Sequence, residues 1–222
     1  MDIRKLASEF VGSAILVAVV VGSGIMATNL SKDVGVQLLI NTFSTIFALY
    51  ILIELFAPIG GAHFNPAVSI VSFALKKLSL SELAGYVVFQ FAGAAFGTVL
   101  ANLMFKHKAI ELSTHIRGGG AVLFGEVIAT AGLVYIIFSA IAQRKDSRIP
   151  LLVSLWIGSA YLFTSSTSFA NPAVTFARSL SESFAGIAGE SVPLFVCAQL
   201  LGAAIGVISA IYFQPELRKA KQ

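Results

Sequence analysis

Gly61-Ala62-His63-Phe64-Asn65-Pro66-Ala67-Val68-Ser69 and Ser168-Phe169-Ala170-Asn171-Pro172-Ala173-Val174-Thr175 carry the same five-residue core, Asn-Pro-Ala-Val-Ser/Thr. Asn is a preferred helix N-cap and Pro a preferred first helical residue, so both copies read as helix starts. The capping amide oxygen accepts from backbone N–H groups. The NH₂ donors are then expected to point into a cavity. Each helix start also carries roughly half a positive elementary charge. Two further elements repeat around this core. Gln90-Phe91-Ala92-Gly93-Ala94-Ala95-Phe96-Gly97 matches Gln199-Leu200-Leu201-Gly202-Ala203-Ala204-Ile205-Gly206 at Q-x-x-G-A-A-x-G. Glu9 and Glu126 each stand near the start of an apolar run that precedes the Asn-Pro-Ala copy. The order Glu, Asn-Pro-Ala, Q-x-x-G-A-A-x-G therefore occurs twice, which marks a duplicated chain.

The medium follows from composition. Of 222 residues, 57% are hydrophobic and only 12% charged, against about 25% charged in a soluble domain. This excludes a disordered chain, a nucleic-acid module and an ordinary soluble enzyme, and indicates the lipid bilayer as solvent. Uncharged runs from Phe10 to Ser31, Val34 to Ile53, Leu83 to Phe105 and Ser191 to Pro215 are each long enough to cross it, as is Ala121 to Gln143 around Glu126. The runs around Val34–Leu75 and Ile149–Ala177 are too long for one crossing. Each is expected to hold a span and a half-length segment. The fold class predicted is an all-α membrane protein of six transmembrane helices plus two re-entrant half-helices. It forms one domain over 1–222, with inverted repeats of about 6–105 and 121–213. Three spans per half is odd, so the second half enters from the opposite side, and the half-helices meet near the midplane. The first, from Asn65 to Leu75, would be about 16 Å long, half the bilayer core. The first span is too long for a cleaved signal peptide.

Basic residues set the orientation. The side of the termini holds Arg4, Lys5, Lys76, Lys77, Arg144, Lys145, Arg148, Arg218, Lys219 and Lys221; the other holds Lys32, Lys106, Lys108 and Arg117. Both termini are expected in the cytoplasm, with the chain in the cell (inner) membrane. The glycine pairs Gly93/Gly97 and Gly202/Gly206 permit close backbone approach and are expected where the two halves meet. The single cysteine, Cys197, makes no internal disulfide and is expected to pack within span six.

Two facing helix starts repel cations and protons, and two fixed amides hold a passing oxygen. Irregular backbone at membrane depth is tolerated where it lines a wet cavity. Gly61, Ala62 and His63, and Thr167, Ser168 and Phe169, are expected to present a ladder of carbonyl acceptors to it. His63 serves through its carbonyl, ties the loop together, or does both. The implied product is a narrow pore for small neutral solutes. No enzyme activity, cofactor, metal or nucleic-acid partner is expected, since no nucleophile–base set, metal cluster or ATP motif is evident.

Paired Asn-Pro-Ala motifs in inverted halves resemble the aquaporin, or major intrinsic protein, family. The resemblance runs from Glu9 to Gly206. It implies a homotetramer with one pore per subunit. It also implies that Glu9 and Glu126 brace the re-entrant loops. A second constriction in that family maps here onto Thr45, Ser159, Ser168 and Val174, where Val174 occupies the place of a usual arginine. Thr, Ser, Ser and Val make a broad, neutral, hydroxyl-lined filter for water, glycerol and other polyols, urea and undissociated arsenous acid. This arginine-free pattern resembles a bacterial branch associated with arsenic resistance. Arg178, one turn beyond Val174, either lines the outer mouth or is a headgroup-facing or loop-bound arginine. Glu54 is half a turn away from Thr45 and is expected to face a subunit contact. Trp156 and the tyrosines are expected at membrane interfaces. Two other functional classes stay open: an ion-coupled transporter, for which Glu54 is the one candidate relay, and a junctional protein with a closed pore.

Overall fold

A computed structural model describes residues 2–219; Lys221 lies outside them. The described chain is all-helical: α1 (Ile3–Leu30), α2 (Val34–Gly60), α3 (Pro66–Ala74), α4 (Leu80–Met104), α5 (Gly120–Ala142), α6 (Ile149–Phe163), α7 (Pro172–Arg178), α8 (Val192–Phe213) and α9 (Glu216–Lys219). Local chemistry sets the ends. Asp2, Asp33 and Ser79 cap α1, α2 and α4 through side-chain oxygens, and Ser79 forms a reciprocal box with Glu82. Gly61 stops α2 in the left-handed region at φ 83°.

Helices α1, α2, α4, α5 and α8 are long and apolar enough to cross a membrane. The sixth crossing, α6, has only 15 residues, about 22 Å of helix. A 3₁₀ turn at Asp146–Arg148 precedes it. It ends where Thr164 becomes extended and its hydroxyl bonds back to Ala160 O at 2.7 Å, sending the chain inward. The half-helices are shorter than the sequence suggests. α3 has nine residues and α7 seven, about 14 Å and 10 Å.

The glycine pairs do not join the halves; they close each half on itself. A Cβ on Gly93 or Gly97 would strike Phe10 O or Ala14 O of α1 at 2.2 and 2.1 Å. One on Gly202 or Gly206 would strike Val127 O or Ala131 O of α5 at 2.5 and 2.4 Å. Spans one and three of each half are therefore in backbone contact. The correction has a simple cause: four-residue spacing marks a close helix contact but does not name the partner. Contact between the halves comes instead from α2 against α6, α3 against α8, and α7 against α4 and α1. Thr98 of α4 ties one of these contacts by donating to Ala177 O at 2.9 Å.

The outside of the bundle is apolar, with Phe47, Leu55, Val88, Phe124, Leu155 and Ile208 more than half exposed. Five apolar crossings and this surface make the chain an integral membrane protein. Cys197 belongs to that exposed surface rather than to the packing of the core. Trp156 is half-buried, with its indole packed against Gly132 and donating to Ala129 O at 2.9 Å. Tyr86 and Tyr161 are buried.

Candidate functional site

The two loops before the half-helices have nearly superimposable chemistry. Asn65 and Asn171 adopt φ/ψ of −154°/115° and −157°/114°. Each caps its own helix: Asn65 Oδ1 accepts from Ala67 N at 2.9 Å, and Asn171 Oδ1 accepts from Ala173 N at 3.0 Å and Val174 N at 3.3 Å. Each amide also crosses to the other loop. Asn65 Nδ2 donates to Ala170 O at 2.8 Å, and Asn171 Nδ2 donates to Phe64 O at 2.7 Å. An NH₂ group has two hydrogens, so one donor of each asparagine stays for the cavity rather than both.

The crossed bonds require the carbonyls of Phe64 and Ala170 to turn toward the opposite loop. These residues sit at φ 47° and 49°, in the left-handed region that costs a non-glycine residue about 1–2 kcal/mol. Ala62, Thr167 and Ser168 share it. Buried carboxylates hold this backbone in place. Glu9 accepts from His63 N at 2.8 Å, Phe64 N at 2.7 Å and Gln90 Nε2 at 2.7 Å. Glu126 accepts from Phe169 N at 2.8 Å, Ala170 N at 3.0 Å, Gln199 Nε2 at 2.6 Å and Ser166 Oγ at 2.8 Å. The same glutamine nitrogens donate to Ser69 Oγ at 2.9 Å and Thr175 Oγ1 at 2.7 Å. Those hydroxyls donate to the carbonyls of Asn65 and Asn171. Gln90, Gln199, Ser69 and Thr175 were not singled out from sequence as site residues. Their signal was the Gln of the repeated Q-x-x-G-A-A-x-G and the Ser/Thr that closes each Asn-Pro-Ala-Val copy.

In a trans peptide, N–H and C=O point opposite ways. With the N–H groups of His63, Phe64, Phe169 and Ala170 aimed at the carboxylates, the carbonyls of Ala62, His63, Ser168 and Phe169 point away from them. Those four residues and Gly61 line a cavity of about 530 Å³; Thr167 is not in its wall. His63 does tie its loop together, with Nδ1 3.0 Å from Ser69 Oγ and Nε2 3.5 Å from Ser72 Oγ. The cavity contains both asparagines, Val68 and Val174. Opposite the loops its wall is apolar: Leu16, Leu49, Ile53, Leu133, Ile137, Val153 and Ile157. One side is thus polar and the other oily.

Thr45, Ser168 and Val174 all reach this cavity, and all are buried. Ser168 Oγ is buried with no protein partner among the described residues. Ser159 does not belong to the ring. It is exposed, and its hydroxyl is turned back onto Leu155 O at 2.9 Å. The face of α6 toward the cavity is Val153, Ile157 and Tyr161, one turn apart; Ser159 lies 200° around from Ile157 at 100° per residue. Tyr161 takes its place, with its hydroxyl 3.5 Å from Thr45 Oγ1. The expected ring was displaced because its position was counted back from Asn171 through an irregular loop. Thr45, Tyr161, Ser168 and Val174, which all line the cavity, are neutral and rich in hydroxyls and include one large aromatic side chain.

Glu54 does not turn away from the cavity: it lines the mouth on the side of the N-terminus, together with Lys77 and Asp146. The lining of α2 follows the i, i+4 ridge through Thr45, Leu49, Ile53 and Ala57, which winds around the helix toward Glu54. Arg178 is the loop-bound arginine of the expected alternatives and does not line the mouth. It is 2% exposed, its Nε donates to Ala185 O, and its Cζ lies 3.4 Å from the centroid of the Phe169 ring.

This geometry agrees with comparisons against known proteins. The family model described as major intrinsic protein matches residues 1–170. Aquaglyceroporin AqpS of Rhizobium meliloti (strain 1021) is 46% identical over 200 residues, covering 90% of this chain and 85% of its own. The probable aquaporin PIP2-8 of Oryza sativa subsp. japonica is 30% identical over 72% of this chain and 60% of its own. The X-ray structure of the aquaglyceroporin from Plasmodium falciparum has the same fold at 20% identity. Its TM-score is 0.70, with 98% of this chain and 99% of that one covered. Two capped half-helices exchanging asparagine bonds between braced loops, and a relative of nearly half-identical sequence, place this chain in the major intrinsic protein family.

Proposed function

We propose that the chain is a passive transmembrane channel for small neutral solutes: water, glycerol and other polyols, and urea. The supporting observation is the reciprocal bond pair Asn65–Ala170 and Asn171–Phe64, set inside one cavity whose wall is half carbonyl and half aliphatic. A solute that donates and accepts hydrogen bonds on one face and presents carbon on the other matches such a wall. On the aliphatic side an ion loses its hydration without replacement. Asn65, Pro66 and Ala67, with Asn171, Pro172 and Ala173, form the midplane station. Thr45, Tyr161, Ser168 and Val174 form the filter. Because Val174 contributes neither charge nor bulk, the filter admits solutes larger than water. Undissociated arsenous acid, a small neutral triol, falls in that class.

Repeats of about 6–105 and 121–213 build this one domain in inverted orientation. The channel assembles as a homotetramer in the inner membrane with both termini cytoplasmic, which the excess of basic residues on the terminal side supports. A transporter would need a buried ionisable relay. Glu54 is exposed at the mouth, and Glu9 and Glu126 are saturated by loop donors. Stopped-flow light scattering on proteoliposomes tests the proposal. Reswelling in glycerol and urea is expected to be at least tenfold faster than in empty vesicles, without uphill accumulation in a proton gradient. Rates equal to empty lipid would refute it.

A further inference from the structure

The equivalent positions of the two loops differ in one charged contact. His63 and Ser72 stand to Asn65 as Phe169 and Arg178 stand to Asn171, and each pair is in contact. In the first loop the contact is neutral and polar. In the second it is a guanidinium laid over an aromatic ring that belongs to the cavity wall. A second guanidinium joins it: Arg117, from the loop between α4 and α5, has its Cζ 5.3 Å from the same ring. It reaches there by donating from Nε to Gly186 O at 2.7 Å and from Nη2 to Phe184 O at 3.0 Å.

Neither cation has a carboxylate ion-pair partner among the described residues. The ion pairs among the described residues are Lys5–Glu82 and His107–Glu111, so no carboxylate lies within 4.0 Å of either guanidinium. Arg178 Nη1 is buried with no protein partner among the described residues. Both guanidinium groups lie over the ring of Phe169, which is itself part of the cavity wall, so one aromatic ring separates them from the lumen. Burial weakens screening, so a fixed charge acts farther here than at a solvated surface.

We propose that Arg178, assisted by Arg117, supplies from behind Phe169 the positive potential that Val174 does not, and so makes a wide neutral filter reject cations. Charge selectivity and pore width are thereby separated: the cation stands behind the wall, where it repels ions without occupying the lumen. The inference rests on the channel reading above.

The test uses proteoliposomes of the full chain, measuring potassium influx with an entrapped indicator and glycerol reswelling on the same preparation. Arg178→Gln is expected to raise the potassium-to-glycerol permeability ratio at least tenfold, a barrier change of about 1.4 kcal/mol. Arg178→Lys, which keeps the charge and loses the fork, is expected within threefold of the native ratio. Arg117→Gln is expected to give a smaller rise than Arg178→Gln. An unchanged ratio in Arg178→Gln, or an equal rise in Arg178→Lys, overturns the proposal. Should Arg178→Gln fail to reconstitute, Arg117→Gln decides, and an unchanged ratio there is equally fatal. A native chain without glycerol flux removes the channel reading and this inference with it, whereas glycerol flux with an unmoved ratio removes this inference alone.

Discussion

The two re-entrant loops are alike behind the asparagines and unlike beyond them. Behind, each has a buried glutamate, a glutamine, a hydroxyl and a left-handed residue before the Asn, in the same bonds. Beyond, the first loop opens past His63 and Ser72 to a mouth with Glu54, Lys77 and Asp146 in its wall. The second runs past Ser168 and Val174 to the segment 179–188, whose Gly186 and Ala185 carbonyls are held by Arg117 and Arg178. Duplication thus preserved the part that must hold strained backbone at membrane depth. It left the rims free to diverge, and selectivity is expected in that divergent part.

The largest expected effect breaks the shared part. Glu126→Leu leaves four buried donors unpaired and Glu9→Leu three, at about 1–3 kcal/mol per donor. Both substitutions are expected to abolish monodisperse protein on size-exclusion chromatography in detergent. In milder form, Glu126→Gln should lower the unfolding midpoint more than Glu9→Gln, and the reverse order would show that the braces are not equivalent in kind. Next comes the packing within each half. Gly97→Leu and Gly206→Leu force a side chain into Ala14 O and Ala131 O. Each is expected to reduce thermal stability by several degrees or more, and a neutral result in either would deny the backbone contact.

The filter supplies a smaller, sharper contrast. Tyr161→Trp is expected to cut glycerol permeability at least fivefold, and Ser159→Trp to change it less than twofold, measured by reswelling. Equal effects would return Ser159 to the ring. The smallest effect lies in the loop between the halves. A hydrogen bond with His107 holds the Glu111 carboxyl below its ordinary value near 4.5. A depressed carboxyl contributes stability above its unfolded pKa and loses it as pH falls through the folded value. Thermal midpoints should therefore drop slightly more between about pH 5 and pH 3 in the native chain than in Glu111→Gln; parallel curves would deny the contribution.

The repeated helix starts of this comparison were legible in the sequence. They recur as short motifs, and helix capping turns Asn-Pro directly into a helix start with a held amide. Bracing by Glu9 and Glu126 was implied by the family resemblance alone, and its glutamine and hydroxyl partners were not read as site residues. What the sequence hid was set by geometry across space. The partners of Gly93 and Gly202 depend on which spans pack together. Tyr161 replaced Ser159 because an irregular loop spoils counting by residue number. Glu54 reached the mouth because the lining of a tilted helix winds around it. Arg178 is bound by a loop whose carbonyls also receive Arg117, far away in the chain. Even the asparagine amides, rightly placed at helix starts, gave one of their two donors to a carbonyl on the opposite loop.

The most direct test of the central claim, that a neutral rim beyond duplicated asparagines sets what passes, is the ratio of glycerol to water permeability in Val174→Arg against the native chain. Placing a guanidinium in the ring of Thr45, Tyr161 and Ser168 is expected to lower that ratio at least tenfold while water still passes. A ratio equal to the native one would show that Val174 does not stand at the selective point.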